Sequence, residues 1–122
     1  MDKYTRLKEQ TFLMKTMTPA ELNNRIKKNE DVLILDVRAA DKYNHYHINE
    51  EHIHSINIEK THIFNENDVE AISGLPKEKE IIITCTTGNS ARKCAEILAE
   101  KEFNVTLLEG GITAWKEYKD TK

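Results

Sequence analysis

One cysteine in this chain stands where a thiol can act as a nucleophile. Cys85 ends the apolar run Ile81-Ile82-Ile83-Thr84 and opens the small polar stretch Thr86-Thr87-Gly88-Asn89-Ser90; a helical pattern from Ala91 to Leu98 follows at once. A strand fixes the sulfur, a glycine-containing loop turns its N–H groups inward, and a helix start adds the positive end of its dipole. Such a setting favours a thiolate and makes the sulfur nucleophilic near neutral pH. A cysteine serving only as a small buried hydrophobe would need neither the loop nor the abrupt helix start.

The neighbouring residues extend this reading. The main-chain N–H groups of Thr86, Thr87, Gly88, Asn89 and Ser90 form a cradle for a charged sulfur, as an oxyanion hole does for oxygen. Gly88 permits a backbone angle that other residues resist. The hydroxyls of Thr86, Thr87 and Ser90 can also bond that charge, or Ser90 or Asn89 can simply cap the helix. Arg92, in the first helical turn, either attracts an anionic substrate or lies solvated. Asp36 and Arg38 close another apolar strand, where charges commonly orient loops rather than react. Cys94 falls at helical spacing with Ala91, Ala95 and Leu98; it packs against the sheet, or else resolves Cys85 through a disulfide of strict geometry. His45, His47, His52 and His54 are dense enough to suggest metal. No sulfur or carboxylate set stands at ligand spacing beside them, so a polar loop is expected and no metal.

Positioning these residues requires alternating strands and helices. Thr18-Pro19-Ala20-Glu21 is a helix start with an N-cap, a proline at the first position and a capping-box glutamate, and the helix runs to about Lys28. Val32-Leu33-Ile34-Leu35, Glu80 to Thr84 and Val105 to Leu108 read as buried strands, with a shorter one centred on Ser55 to Ile58. Helices are expected over Ala39 to Asn44, from Asn65 or Asn67 through Ile72, from Ser90 to about Glu102, and from Ile112 to Tyr118. The pattern predicts an α/β fold with a mainly parallel sheet and helices on both faces. Ligands bind such sheets at the carboxyl ends of strands, where Asp36 and Cys85 both fall. Residues 1–17 are expected to be an N-terminal extension or short helix, and 18–119 the domain.

The 122 residues suit one domain with its own core. A net charge of −3 with mixed signs argues against nucleic acid, and no apolar run approaches a membrane span. The N-terminus lacks a signal-peptide core, and two cysteines make no disulfide framework, so a cytoplasmic protein is expected.

Three separated pieces together resemble the rhodanese family. Leu33-Ile34-Leu35-Asp36-Val37-Arg38, followed by Asp41 and Tyr43, is similar to its entry motif. Ile81 to Ala91 is similar to its active-site strand and six-residue loop, and Leu108-Glu109-Gly110-Gly111-Ile112-Thr113-Ala114-Trp115 to its closing segment. The resemblance runs from about Thr18 to Tyr118. It implies a three-layer rhodanese-like fold and a sulfurtransferase whose Cys85 cycles between thiolate and persulfide, without cofactor. The donor would be thiosulfate or a low-molecular-weight or protein persulfide, and the acceptor a thiol, cyanide or a protein. Two departures stand out. Tyr46-His47-Ile48 and Glu51-His52-Ile53 both match the start of the family's Gly-His-Ile-Pro-Gly-Ala segment, but the glycine and Pro-Gly are missing. Thr86 and Ser90 occupy the second and sixth loop positions, where many thiosulfate-using relatives carry arginine. Two other functions compete. A non-catalytic binding module would fit the absent arginines. A Cys-based phosphatase or arsenate reductase would need arginine where Ala91 stands, one residue before Arg92.

Overall fold

The continuous apolar runs form the middle of the sheet, where both faces of a strand are covered. The computed structural model describes residues 14–65 and 67–121. Five strands, β1 (Lys15–Met17), β2 (Val32–Asp36), β3 (Ile53–Asn57), β4 (Glu80–Thr84) and β5 (Asn104–Leu108), lie in the order β1-β5-β4-β2-β3. Every pairing is parallel. Among the described residues five α-helices accompany them: α1 (Pro19–Lys27), α2 (Ala40–His45), α3 (Lys60–Phe64), α4 (Asn89–Glu100) and α5 (Gly111–Asp120).

Strand alternation divides the core into two layers. Ile81 and Ile83 of β4 point to one face, packed with Ile63 of α3 and Ala91, Cys94, Ala95 and Leu98 of α4. Ile82 points to the other, packed with Leu22 of α1 and Ile112 and Trp115 of α5. Each of these isoleucines is at most 1% exposed, and burying one contributes about 1.5–3 kcal/mol. The expected three-layer α/β architecture is the one that forms. The helix start at Thr18 is also as read. Thr18 Oγ1 accepts the Glu21 N–H at 3.1 Å, and the Glu21 carboxylate accepts the Thr18 N–H at 2.9 Å.

Three elements differ from expectation. Lys15–Met17 forms an edge strand on β5, so the sheet begins inside the segment expected to be an extension. The short helix considered further toward the N-terminus lies outside the described residues. The helix expected to end at Ile72 is only a 3-10 turn, Val69–Ile72, and the helix in this region is the unanticipated α3. Asp68 at the turn's N-cap makes no side-chain cap, and Val69 is 63% exposed, so little packing or capping favours a longer helix.

The strand order fixes where a ligand can enter. From β2 the chain moves to β3 on one side, then crosses back to β4 on the other. Asp36 and Thr84 are register partners, and Val37 N–H donates to the Thr84 carbonyl at 3.0 Å. The segments following β2 and β4 therefore leave the sheet together at its switch point, where a crevice opens.

Candidate active site

Cys85 sits immediately beyond β4, at the base of a cavity of about 360 Å³ in that crevice. Val37, Arg38 and Ala39 wall one side; Thr86, Thr87, Asn89 and Ser90 wall another. The sulfur accepts the Gly88 N–H at 3.0 Å and the Ala91 N–H at 3.3 Å. Gly88 adopts φ +106°, a left-handed angle that turns the chain sharply into α4. Neither Asn89 nor Ser90 caps the helix: α4 begins at Asn89 with no side-chain cap. The Cys85 sulfur takes that place, receiving an N–H that a helix N-terminus leaves without an intrahelical partner. The side chains of Thr86 and Thr87 are exposed along the cavity, and Ser90 Oγ accepts from Lys60 Nζ at 3.3 Å.

The loop is also held from behind. Ile112 N–H donates to the Cys85 carbonyl at 2.8 Å, and Thr113 N–H to the Thr86 carbonyl at 3.0 Å. The start of α5 thus ties down both carbonyls. This contact demands glycine at position 111: φ is +63°, and a β-carbon would lie 2.4 Å from the Cys85 oxygen and 2.7 Å from that of Thr86. The Gly110-Gly111 pair was legible as a turn; its grip on the Cys85 peptide was not.

Asp36 and Arg38 form a fork-like pair. Arg38 Nε and Nη2 donate to the Asp36 carboxylate at 2.7–3.1 Å, and Nη2 also donates to the Tyr46 carbonyl at 2.6 Å. Their side chains are 1% and 8% exposed, respectively. Asn57 Nδ2 adds bonds to the Asp36 and Arg38 carbonyls, each 2.9 Å. Sequence reasoning missed Asn57, which pins the segment after β2 from β3. Arg38 lines the cavity, but its Nε and Nη2 are committed to the scaffold.

Arg92 is not brought to the cavity wall. It is exposed and stands 3.7 Å from Glu96, one turn along α4. The cavity's lysines are Lys42 of α2 and Lys60 of α3, neither singled out by the sequence. Glu59 lines it too, its carboxylate accepting the Ala40 N–H at 3.3 Å. No motif marks these residues; only the fold brings α2 and α3 beside the Cys85 loop. Cys94 is buried in α4, and burial pushes its thiol up to about 12, reinforced by the nearby Cys85 and opposed by Lys60. The histidines diverge. His47 stacks on Tyr43 with ring centroids 4.0 Å apart, whereas His52 pairs with Asp31 at 3.3 Å. Among the described residues no group of three or more His, Cys, Asp or Glu side chains is arranged to hold a metal ion.

A family model described as the rhodanese-like domain matches residues 18–118. The thiosulfate sulfurtransferase GlpE of Coxiella burnetii is 31% identical over 96 residues, spanning 77% of this chain and 80% of that protein. Among solved structures, a rhodanese-related protein from Thermoplasma volcanium is 26% identical, with a TM-score of 0.68 over 85% of this chain and 92% of its own. A protein from Bacillus halodurans is 30% identical, with a TM-score of 0.69 over 95% of this chain and 81% of its own.

Proposed function

The chain belongs to the rhodanese-like domain family, and from that premise we propose that it is a sulfurtransferase carrying sulfane sulfur as a persulfide on Cys85. The observation that carries this reading is the pair of N–H groups, from Gly88 and Ala91, directed at the Cys85 sulfur in a cavity large enough for a small donor.

In the first step the Cys85 thiolate attacks the outer sulfur of the donor. A new S–S bond forms, the donor's own bond to that sulfur breaks, and the leaving group departs with the electron pair. Thiosulfate would leave as sulfite; a thiol persulfide would leave as its thiolate. In the second step an acceptor thiolate, cyanide or a cysteine of a partner protein attacks the outer sulfur of the Cys85 persulfide, returning the pair to Cys85. Cys85 starts the cycle as a thiolate and is returned to one when the acceptor takes the outer sulfur. Preorganised N–H donors stabilise that thiolate without reorganising. Displacement at sulfur by a thiolate asks for no organic cofactor. The two free cysteines suit a reducing, cytoplasmic setting. The phosphatase alternative loses support from the same loop: Ala91 occupies the position where an oxyanion-clamping arginine is needed, and Arg92 lies outside the cavity lining.

Intact mass measured after incubation with thiosulfate, and separately with glutathione persulfide, tests the proposal. The expected result is a gain of one sulfur, reversed by a reductant and absent from Cys85→Ser. No gain from either donor, with Cys85 reduced and open to alkylation, would favour the binding-module reading.

A further inference from the structure

We propose that the Cys85 cavity continues into a second, cationic groove that holds the carboxylate-bearing body of a low-molecular-weight thiol, the compound that delivers or collects the sulfur. The inference rests on the sulfurtransferase reading and names a substrate class for it.

A groove of about 450 Å³ lies beside the Cys85 cavity, and Arg38 and Lys42 line both. The spaces therefore adjoin, each within or near the size of small-molecule sites. Beyond the shared wall the groove is bounded by Asp41, His45 and Tyr46 on the α2 side and by Lys116 of α5. Lys116 Nζ stands 4.7 Å from the centroid of the Tyr46 ring. That contact positions the ammonium over the ring face without a carboxylate partner. Among the described residues neither Lys42 nor Lys116 forms a salt bridge. Arg38 contributes a wall rather than a charge to offer, since Asp36 and the Tyr46 carbonyl occupy it. Lys42 and Lys116 line the groove with the one carboxylate of Asp41, which leaves it with surplus positive charge.

The arrangement is bipartite. Lys60, tethered to Ser90 beside the nucleophile, serves the sulfur end, while Lys42 and Lys116 serve an anionic group farther along. A thiosulfate dianion needs only the first space. A peptide-sized thiol with a free carboxylate uses both. When such a thiol donates as its persulfide, the bond between its two sulfurs breaks and the Cys85 S–S bond forms. The departing thiolate keeps the electron pair and its carboxylate contacts, so no oxidant or reductant is consumed.

Two measurements decide the matter. S-methylglutathione, an inert stand-in for the thiol body, is titrated into the 15N-labelled protein. Shifts should concentrate at the amides of Lys42, Tyr46 and Lys116, and Lys116→Glu should weaken binding about five- to tenfold. S-methylcysteamine, which lacks carboxylates, should not produce the pattern. In loading assays Lys116→Glu should lower the rate with glutathione persulfide relative to thiosulfate by a similar factor. Equal effects on the two donors, or S-methylglutathione shifts elsewhere, would overturn the groove. If neither donor loads Cys85, the sulfurtransferase reading fails, while the titration still decides whether the groove binds a carboxylate-bearing thiol.

Discussion

Cys85 and Cys94 are both buried, yet their surroundings assign them opposite chemistry. Cys85 has N–H donors on its sulfur and opens to a cavity; Cys94 lies in α4 among apolar neighbours with its thiol held up to about 12. At about pH 8 an alkylating agent should label Cys85 alone in the folded protein and both cysteines after unfolding, as peptide mapping would show. Cys94 also bears on alkaline stability. Its pKa is raised in the fold, so its stabilising contribution is complete below the ordinary value of 9.0 and is lost as pH climbs toward about 12. In that window the loss approaches about 1.4 kcal/mol per pH unit. Denaturant titrations of Cys94→Ala should accordingly show a shallower alkaline decline than the wild type; an identical decline would remove Cys94 from the account. The two settings were partly legible beforehand: helical spacing put Cys94 with Ala91, Ala95 and Leu98, and the loop pattern singled out Cys85. Lys42, Lys60 and Asn57 were not legible, because long-range folding alone brings them to the site.

At the scale of elements, the strands and longer helices could be read because their signals are local and repeated. β4 was read with its observed ends, Glu80 and Thr84, and α4 and α5 within two residues at each end. β1 and α3 were missed for a physical reason. A three-residue edge strand has no room for a period, and five-residue α3 has no side-chain cap. Tertiary contacts supply what the sequence lacks: β1 has its register on β5, and α3 has buried Ile63 and the bond from Lys60 N–H to the Val37 carbonyl at 3.0 Å. The junction of α5 with the Cys85 loop yields a sharper test. Gly111→Ala would combine positive-φ strain with clashes against three backbone atoms of Cys85 and Thr86, costing about 1–3 kcal/mol for the angle alone. Gly88→Ala meets only ordinary contacts, the nearest at 3.6 Å, so its cost is the angle. Thermal unfolding should rank Gly111→Ala as the more damaging, and it should also slow persulfide loading more. The reverse ranking would mean that α5 does not hold the loop.

The molecule as a whole carries a net charge of −3, yet its crevice presents Lys42 and Lys60 against the single carboxylate of Glu59. Diffusing anions respond to the local field within about one Debye length, ~8 Å at physiological ionic strength, rather than to the distant total. Stopped-flow loading with an anionic donor should therefore slow as salt is added, and Lys60→Gln should be slower at low salt and less salt-sensitive. Salt-independent loading would show that these lysines do not steer the donor.

The hydrogen bonds from Ile112 and Thr113 to the Cys85 and Thr86 carbonyls also set when the loop can be anchored during biosynthesis. On the ribosome the Cys85 loop emerges before the residues that anchor it. Strand β5 and helix α5 must follow, and the sheet must close, before the loop carbonyls find their donors. A nascent chain halted near Gly110 carries the thiol without its finished cradle. The anchored form of the loop is thus completed only once the closing helix has left the exit tunnel and docked, and a chain released before then would lack these two bonds.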